Sequence, residues 1–142
     1  MPTLFSRIIA GELPANFVWK DELCVAFLSN RPLKPGHTLV VPRQEIDHWL
    51  DLDPPLLAHL IATAQAIGQA QMAAFKPARI GLMLVGLEVP HVHFHVVPIS
   101  DPHDVNFENQ DPNPDRSVMT ASAAAIRGEL SKLGHTEGAS AG

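Results

Sequence analysis

Hydrophobic positions recur with a helical period in three segments of the chain. The longest segment follows Asp53, a typical N-cap residue, and has Pro54 and Pro55 in its first turn, where proline is tolerated. We therefore predict one long amphipathic helix, with a shorter helix before it and another after it. Their apolar stripes are Phe5, Ile8, Ile9 and Leu13; Leu56, Leu57, Leu60, Ile61, Ala64, Ile67, Met72 and Phe75; and Met119, Ala123, Ile126, Leu130 and Leu133.

Runs of β-branched and aromatic residues, bounded by turn-forming residues, predict five strands, over residues 17–20, 23–28, 37–41, 80–85 and 89–97. Strands joined by tight turns pair antiparallel. The pattern therefore predicts an α+β fold, a five-stranded antiparallel sheet with the helices packed on one face and the other face polar or paired. The polar segment 100–115 is predicted to be a long loop.

The composition is typical of one globular domain, because 46% of the 142 residues are hydrophobic and 18% are charged. We expect the domain to span residues 1–134, followed by a disordered tail over 135–142. The net charge of −5, without a run of Lys and Arg, argues against long nucleic acids as partners. The sequence has no leader pattern and no apolar run that could span a membrane, so we predict a cytoplasmic protein.

Three histidines alternate in the last predicted strand. His91, His93 and His95 occupy every second position and so share one face, while the residues between them face the core. With 8 histidines in 142 residues, about 0.02 such triplets are expected by chance. The triplet therefore indicates a chemical role for these side chains.

Two kinds of chemistry use clustered imidazoles. Neutral imidazoles ligate zinc or copper, and His37 can supply a fourth nitrogen to such a site. Alternatively, one imidazole is a nucleophile, while its neighbours fix its tautomer and bind the anion that it attacks. Phosphorus is the natural electrophile, because the phosphoramidate formed passes its group on to water.

The histidine segment resembles the signature of the histidine triad (HIT) superfamily, His-x-His-x-His followed by apolar residues. The similarity extends to residues 5–14 and 35–42, so it covers about residues 3–98. The C-terminal loop and helix, over 99–134, complete the predicted domain. The resemblance implies a HIT-like fold and a homodimer with a sheet that continues across both subunits. It also implies a nucleotidyl hydrolase or transferase acting on phosphoramidates, dinucleoside polyphosphates or related anhydrides of nucleoside monophosphates.

The same resemblance implies roles for individual residues. The middle histidine, His93, is the nucleophile that becomes nucleotidylated, and His91 and His95 support it. His37 contacts the phosphate or orients the triad. A nucleotide-binding regulatory protein without turnover, or a His-rich metal-binding protein, remains the alternative.

The chain departs from the family pattern at the zinc-binding positions that many relatives have. Thr3, Ser6 and Glu45 stand where those relatives have two cysteines and a histidine. Because these oxygen groups do not replace two thiolates and an imidazole, we predict no structural zinc and no cofactor.

Two substrate-binding positions also differ from the family pattern. Ser29, with Asn30 beside it, stands at the ribose-binding position, and Glu88 stands where relatives often have Ser or Thr. All three are candidate substrate-binding residues. A carboxylate facing the site would repel a phosphate, so we expect Glu88 to bind a leaving amine, carry a proton or point away.

Overall fold

The computed structural model describes residues 2–138, and its elements follow the predicted order. Three short 3₁₀ helices, Trp49–Asp51, Pro102–Val105 and Phe107–Asn109, lie in the connections. The helices and strands are α1 (Leu4–Ile9), β1 (Phe17–Lys20), β2 (Cys24–Leu28), β3 (Thr38–Pro42), α2 (Pro54–Phe75), β4 (Arg79–Met83), β5 (Phe94–Ile99) and α3 (Arg116–Lys132).

The five strands form one antiparallel sheet in the order β1-β2-β3-β5-β4, which confirms the predicted sheet. The long helix α2 begins as predicted, since the Asp53 side chain accepts a hydrogen bond from the Leu56 N–H. In the centre of the sheet, β3 pairs with β5 and places Leu39 opposite His95. His95 thus lies on one of these two paired inner strands, and His37 directly precedes the other.

The prediction that all helices share one face of the sheet is wrong for α1. Helices α2 and α3 pack on one face, where Phe94, Leu60 and Ile126 belong to the same buried cluster. On the opposite face, Phe5 and Ile8 of α1 pack with apolar side chains that alternate along β2 and β3, namely Val25, Phe27, Leu39 and Val41. This second face is therefore buried and largely apolar rather than polar.

The last strand begins later than predicted, at Phe94 instead of residue 89. Pro90 has no N–H to donate to a neighbouring strand, and the His91 N–H turns back to the Val89 carbonyl at 2.8 Å. Consequently only His95 of the three alternating histidines lies on a strand. The alternation of sides survives, because Val92, Phe94 and Val96 all belong to the helix-side core.

The chain after α3 runs along the outer strand of the sheet. The Lys20 N–H donates to the Glu137 carbonyl at 3.3 Å, and Gly138 is buried against Val18 and Leu130. Of the predicted tail, residues 139–142 lie outside the described part. Within residues 2–138, no helix is long and apolar enough to cross a membrane.

Candidate active site

Four histidines meet on the α1 face of the sheet. His91 and His93 lie in the turn before β5, His95 is on β5, and His37 precedes β3. All four are buried, with exposed fractions of 0 to 3%. The structure therefore brings together the four histidines that the sequence singled out.

The hydrogen bonds of His91 and His93 define their tautomers. The Nδ1 of His93 lies 2.8 Å from the His91 carbonyl oxygen, which can only accept, so His93 carries its proton on Nδ1. Neutral His93 then has its lone pair on Nε2, the nitrogen that lies 3.3 Å from Glu88 Oε2. The Nε2 of His91 likewise donates to the Pro42 carbonyl at 2.8 Å, and its Nδ1 accepts from the Thr3 hydroxyl at 2.7 Å.

The same reasoning assigns the protons of His37 and His95. The Leu33 N–H donates to His37 Nδ1 at 3.0 Å, so neutral His37 carries its proton on Nε2 and donates to His95 Nδ1 at 3.0 Å. His95 then carries its proton on Nε2. Among the described residues this buried Nε2–H has no acceptor. The site thus presents a lone pair on His93 and a spare donor on His95.

Burial keeps three of the four imidazoles neutral at physiological pH. Burial, together with the neighbouring histidines, lowers the pKa of His37 to about 3. Burial and the nearby His93 lower the pKa of His95 to about 4, although the Glu88 carboxylate acts in the opposite direction. Burial also lowers the pKa of His91. Neutral rings are consistent with the hydrogen bonds, because one nitrogen of each of these three rings accepts a hydrogen bond and must therefore be unprotonated.

The lowered pKa values of His37 and His95 predict that acid destabilises the fold. In the unfolded chain a histidine titrates near 6.5. Between pH 6.5 and about 4 the unfolded state therefore binds protons that the folded state does not, and stability falls with falling pH. Each histidine contributes up to about 1.4 kcal/mol per pH unit.

Urea unfolding at pH 7.5, 6 and 5 measures this dependence. We expect His37→Gln to reduce the slope of the unfolding free energy with pH, whereas His103→Gln, at an exposed position, leaves the slope unchanged. A wild-type unfolding free energy that is the same at pH 7.5 and pH 5 would contradict the assignment of neutral, buried rings.

Two aromatic rings enclose the histidines, and the sequence did not identify either as part of the site. Phe5 of α1 packs edge-on against His93, with ring centroids 4.9 Å apart. Phe107, in the second of the two 3₁₀ helices after β5, packs edge-on against His95 at 5.1 Å. The segment 100–115 therefore covers the site. Phe107 is the single Phe, Trp or Tyr of this polar segment, and this was the one feature of the sequence that could have marked it as a buried residue of the site.

A buried glutamine fixes the backbone beside His37 and His95. The Gln71 side-chain amide of α2 donates to the Gly36 and Val96 carbonyls, each at 2.9 Å. These carbonyls belong to the residues next to His37 and His95. Because a buried amide that makes two such bonds is costly to move, Gln71 holds the two histidine-bearing segments in register.

The positions that bind zinc in many relatives form a hydrogen-bonded cluster here. Glu45 accepts from the Thr3 N–H and from the Ser6 hydroxyl, each at 2.7 Å, and the Thr3 hydroxyl contacts His91. The groups available as metal ligands are hydroxyls and a carboxylate instead of thiolates, and they are already hydrogen-bonded to one another. They do not fit a zinc ion. The cluster instead ties α1 to the ring of His91.

The structure separates the two candidate ribose-binding residues. Ser29 is buried beside a cavity of about 280 Å³ that also borders His37, and its hydroxyl accepts from the Arg31 N–H at 3.2 Å. Asn30 is exposed at the edge of a smaller apolar cavity of about 60 Å³. Phe5, whose ring also contacts His93, lines this smaller cavity together with Phe27.

Glu88 faces the candidate nucleophile. Its Oε2 lies 3.3 Å from His93 Nε2, and its side chain is 48% exposed, whereas that of His93 is 1% exposed. A ring nitrogen of His93, a ring nitrogen of His95 and a carboxylate oxygen of Glu88 lie within 4.8 Å of one another. Among the described residues on this side of the sheet, these three side chains form a group that could hold a metal ion.

A five-stranded antiparallel sheet that buries four histidines on its α1 face is the arrangement of a histidine triad protein. A model of the HIT domain matches residues 10–101. An uncharacterized HIT-like protein of Methanocaldococcus jannaschii is 33% identical over 99 residues, which cover 67% of this chain and 77% of that protein. The chain belongs to the HIT family.

Solved structures agree with this assignment. A hypothetical histidine triad nucleotide-binding protein from Sulfolobus tokodaii superposes with a TM-score of 0.79 at 26% identity, over 94% of this chain and 95% of that one. A HIT family hydrolase from Legionella pneumophila superposes with a TM-score of 0.61 at 31% identity, over 68% and 91%. The fold and the family are thereby established, and relatives include a hydrolase.

Proposed function

We propose that this protein is a nucleotidyl hydrolase or transferase that cleaves nucleoside monophosphate derivatives through a nucleotidyl-His93 intermediate. The observation that carries the proposal is the tautomer of His93. Its Nδ1 proton is held by the His91 carbonyl, which leaves the Nε2 lone pair as a nucleophile. The hydrolase and the nucleotide-binding protein among its relatives support this class of activity.

The reaction proceeds in two displacements at the α-phosphorus. His93 Nε2 attacks, the bond to the leaving group breaks, and its electron pair leaves with that group, which takes a proton that water supplies. Water then attacks the nucleotidyl-His93, loses a proton, and the P–N bond breaks with its electron pair returning to Nε2. Transfer to another acceptor replaces water in the second step.

The surrounding residues bind the substrate in this proposal. The His95 Nε2–H donates to a phosphoryl oxygen, which satisfies its otherwise unpaired donor. His37 orients His95 through the bond at 3.0 Å. Ser29 follows the C-terminal end of β2, and it binds the ribose in the cavity of about 280 Å³ that also borders His37.

Intact-mass analysis tests this function. We expect brief incubation with adenosine phosphoramidate or an AMP mixed anhydride to give an acid-labile adenylyl adduct on the wild-type protein and on His103→Ala, but not on His93→Ala. Tight nucleotide binding with neither adduct nor product would overturn the proposal and favour a regulatory binding protein.

The cluster of Glu88, His93 and His95 supports a second candidate function, metal binding. Two imidazoles and a carboxylate form a common ligand set for zinc. Elemental analysis of protein purified without added metal distinguishes it. About one equivalent of metal, lost in Glu88→Gln, would favour this function, and a metal content near zero would exclude it.

We also propose that the active form is a homodimer joined at β4. This strand is at the edge of the sheet, and beside it a groove is lined by Gly68, Met72, Ile80 and Leu82. Leu82 is 51% exposed, and Ile61 and Met72 beside it in the groove are 41% and 39% exposed, so the three form one exposed apolar patch. A second copy pairing at this edge covers the groove. Sedimentation equilibrium should give twice the chain mass, and Leu82→Lys should give a monomer.

A further inference from the structure

We infer that Asp21, Cys24 and His59 form a zinc-binding site on the side of the sheet opposite the four clustered histidines. The three residues lie in the turn between β1 and β2, at the start of β2 and in α2. One ligand atom of each lies within 4.8 Å of the other two. The site is independent of the proposed function. It also lies apart from the positions that bind zinc in many relatives, on which the prediction of no structural zinc rested.

The chemistry of the three side chains selects zinc among the common divalent cations. Zinc is bound in proteins by thiolate sulfur, imidazole nitrogen and carboxylate oxygen, usually with four ligands in a tetrahedron. This cluster supplies one ligand of each kind, and a water molecule completes the fourth position. Magnesium and calcium take oxygen ligands, so a site with one sulfur and one nitrogen does not suit them.

The carboxylate of Asp21 already draws the other two ligands together. His59 Nε2 lies 2.7 Å from Asp21 Oδ2, and Cys24 Sγ lies 3.5 Å from the same oxygen. Both donor atoms are also the metal-binding atoms of their side chains, so one cation can replace the two hydrogen-bond protons. In the cluster beside His91, by contrast, the donors to the carboxylate are a backbone N–H and a hydroxyl.

The charges balance when zinc binds. Zinc displaces the thiol proton of Cys24 to water, and the proton of neutral His59 moves from Nε2 to Nδ1. One dipositive ion then meets one carboxylate and one thiolate, which makes the site neutral. Because burial and the nearby Asp21 raise the pKa of Cys24 to about 12, the thiol keeps its proton until a metal replaces it. Binding therefore strengthens as the pH rises.

Hydrogen bonds from the surroundings hold the ligands in place. The Asp21 carboxylate accepts from Trp19 Nε1 and from the N–H groups of Leu23 and Cys24, each at 2.8 Å. Trp19 uses one lone pair of Oδ2, which leaves the other lone pair for the ion. The Thr63 hydroxyl lies 3.7 Å from Cys24 Sγ and can turn to donate to a thiolate. Such outer contacts orient metal ligands.

An ion can reach the site from solvent, and it would join three elements of the fold. The side chains of His59 and Asp21 are 34% and 17% exposed, whereas Cys24 is buried. Zinc would link the hairpin of β1 and β2 to α2. Cys24 also pairs with Pro42 of β3, whose carbonyl accepts from His91. The ion is therefore structural, and it stabilises the folded state by binding to it.

Cobalt(II) is the probe for this site, because a thiolate bound to cobalt gives an intense charge-transfer absorption in the near ultraviolet. Cys24 is the single cysteine of the chain, so this absorption reports one residue. In protein kept reduced, we expect one equivalent of cobalt to produce it and zinc to abolish it. Cys24→Ser should lose it. His59→Gln should weaken cobalt binding at least about 10- to 100-fold, the effect of losing even an outer-shell partner.

Thermal melts with and without zinc give a second measurement. We expect zinc to raise the melting temperature of the wild type and to leave that of His59→Gln unchanged. Because the His59 side chain is partly exposed, this variant should fold. A melting temperature of the wild type that zinc does not change would contradict the inference.

Two control variants should keep the absorption at full strength. His48→Gln removes an exposed imidazole, and Glu88→Gln removes a ligand of the metal-binding group beside His93. No thiolate absorption with an excess of cobalt, or an absorption that His59→Gln leaves unchanged, would overturn the inference. Cobalt bound without this absorption and lost in Glu88→Gln would also overturn it. None of these outcomes changes the adduct test for His93.

Discussion

His93→Ala is expected to lower turnover of a nucleoside phosphoramidate by about 10⁴- to 10⁶-fold, the effect of removing a covalent nucleophile. The two-displacement route is lost, because the other unprotonated ring nitrogens of the described cluster already accept hydrogen bonds. These are His37 Nδ1, His91 Nδ1 and His95 Nδ1. Single-turnover kinetics of His93→Ala and the wild type measures the effect, and thermal melts of both proteins show whether the variant is folded.

Folding must be separated from chemistry in this experiment. The substitution leaves a gap beside Phe5 and an unpaired His91 carbonyl, which costs about 1 to 3 kcal/mol of stability. His93→Gln leaves a smaller gap and serves as the second variant. His103→Ala removes an exposed imidazole from the segment after β5 and should retain full activity. A folded His93→Ala protein with turnover within tenfold of the wild type would exclude His93 as the nucleophile.

The alternation of histidines could be predicted from the sequence because period two is a local property. It placed His91, His93 and His95 on the side away from Val92 and Phe94, and that held even though the strand begins only at Phe94. Their protonation could not be predicted. It depends on the Pro42 carbonyl and the Leu33 N–H, which the fold brings to the rings from other segments.

Side chains from distant segments were the hardest part of the site to predict. Gln71 lies among the apolar positions of α2, where its amide reaches the Gly36 and Val96 carbonyls only after helix and sheet have packed. Phe107 stands out as the one aromatic residue of a polar loop, but the local sequence does not determine that this loop passes over His95. The orientation of Glu88 was left open between facing the site and pointing away, and the turn over residues 86–93 decides it.

Gly36→Ala is expected to destabilise the fold by about 2 to 4 kcal/mol, since two costs combine at this position. Gly36 has φ of +89°, a conformation that costs a residue with a Cβ about 1 to 2 kcal/mol. An added Cβ would also lie 2.4 Å from Cε2 of Phe75 and 2.8 Å from its Cζ. The ring or the turn must move. Equilibrium urea unfolding measures the loss.

A double-mutant cycle with Phe75→Ala separates the two costs. Removing the ring relieves the contact and leaves the φ cost, so the two substitutions together should destabilise the fold by about 1 to 3 kcal/mol less than the sum of the single effects. Gly134→Ala is the matched control, because Gly134 has φ of +90° and no atom within 4 Å of an added Cβ. It should show the φ cost alone. If Gly36→Ala lowers the unfolding free energy no more than Gly134→Ala does, the Phe75 ring moves aside at little cost and does not hold the turn that carries His37. If it is more harmful, and the cycle shows the coupling, packing at the end of α2 determines where His37 meets His95.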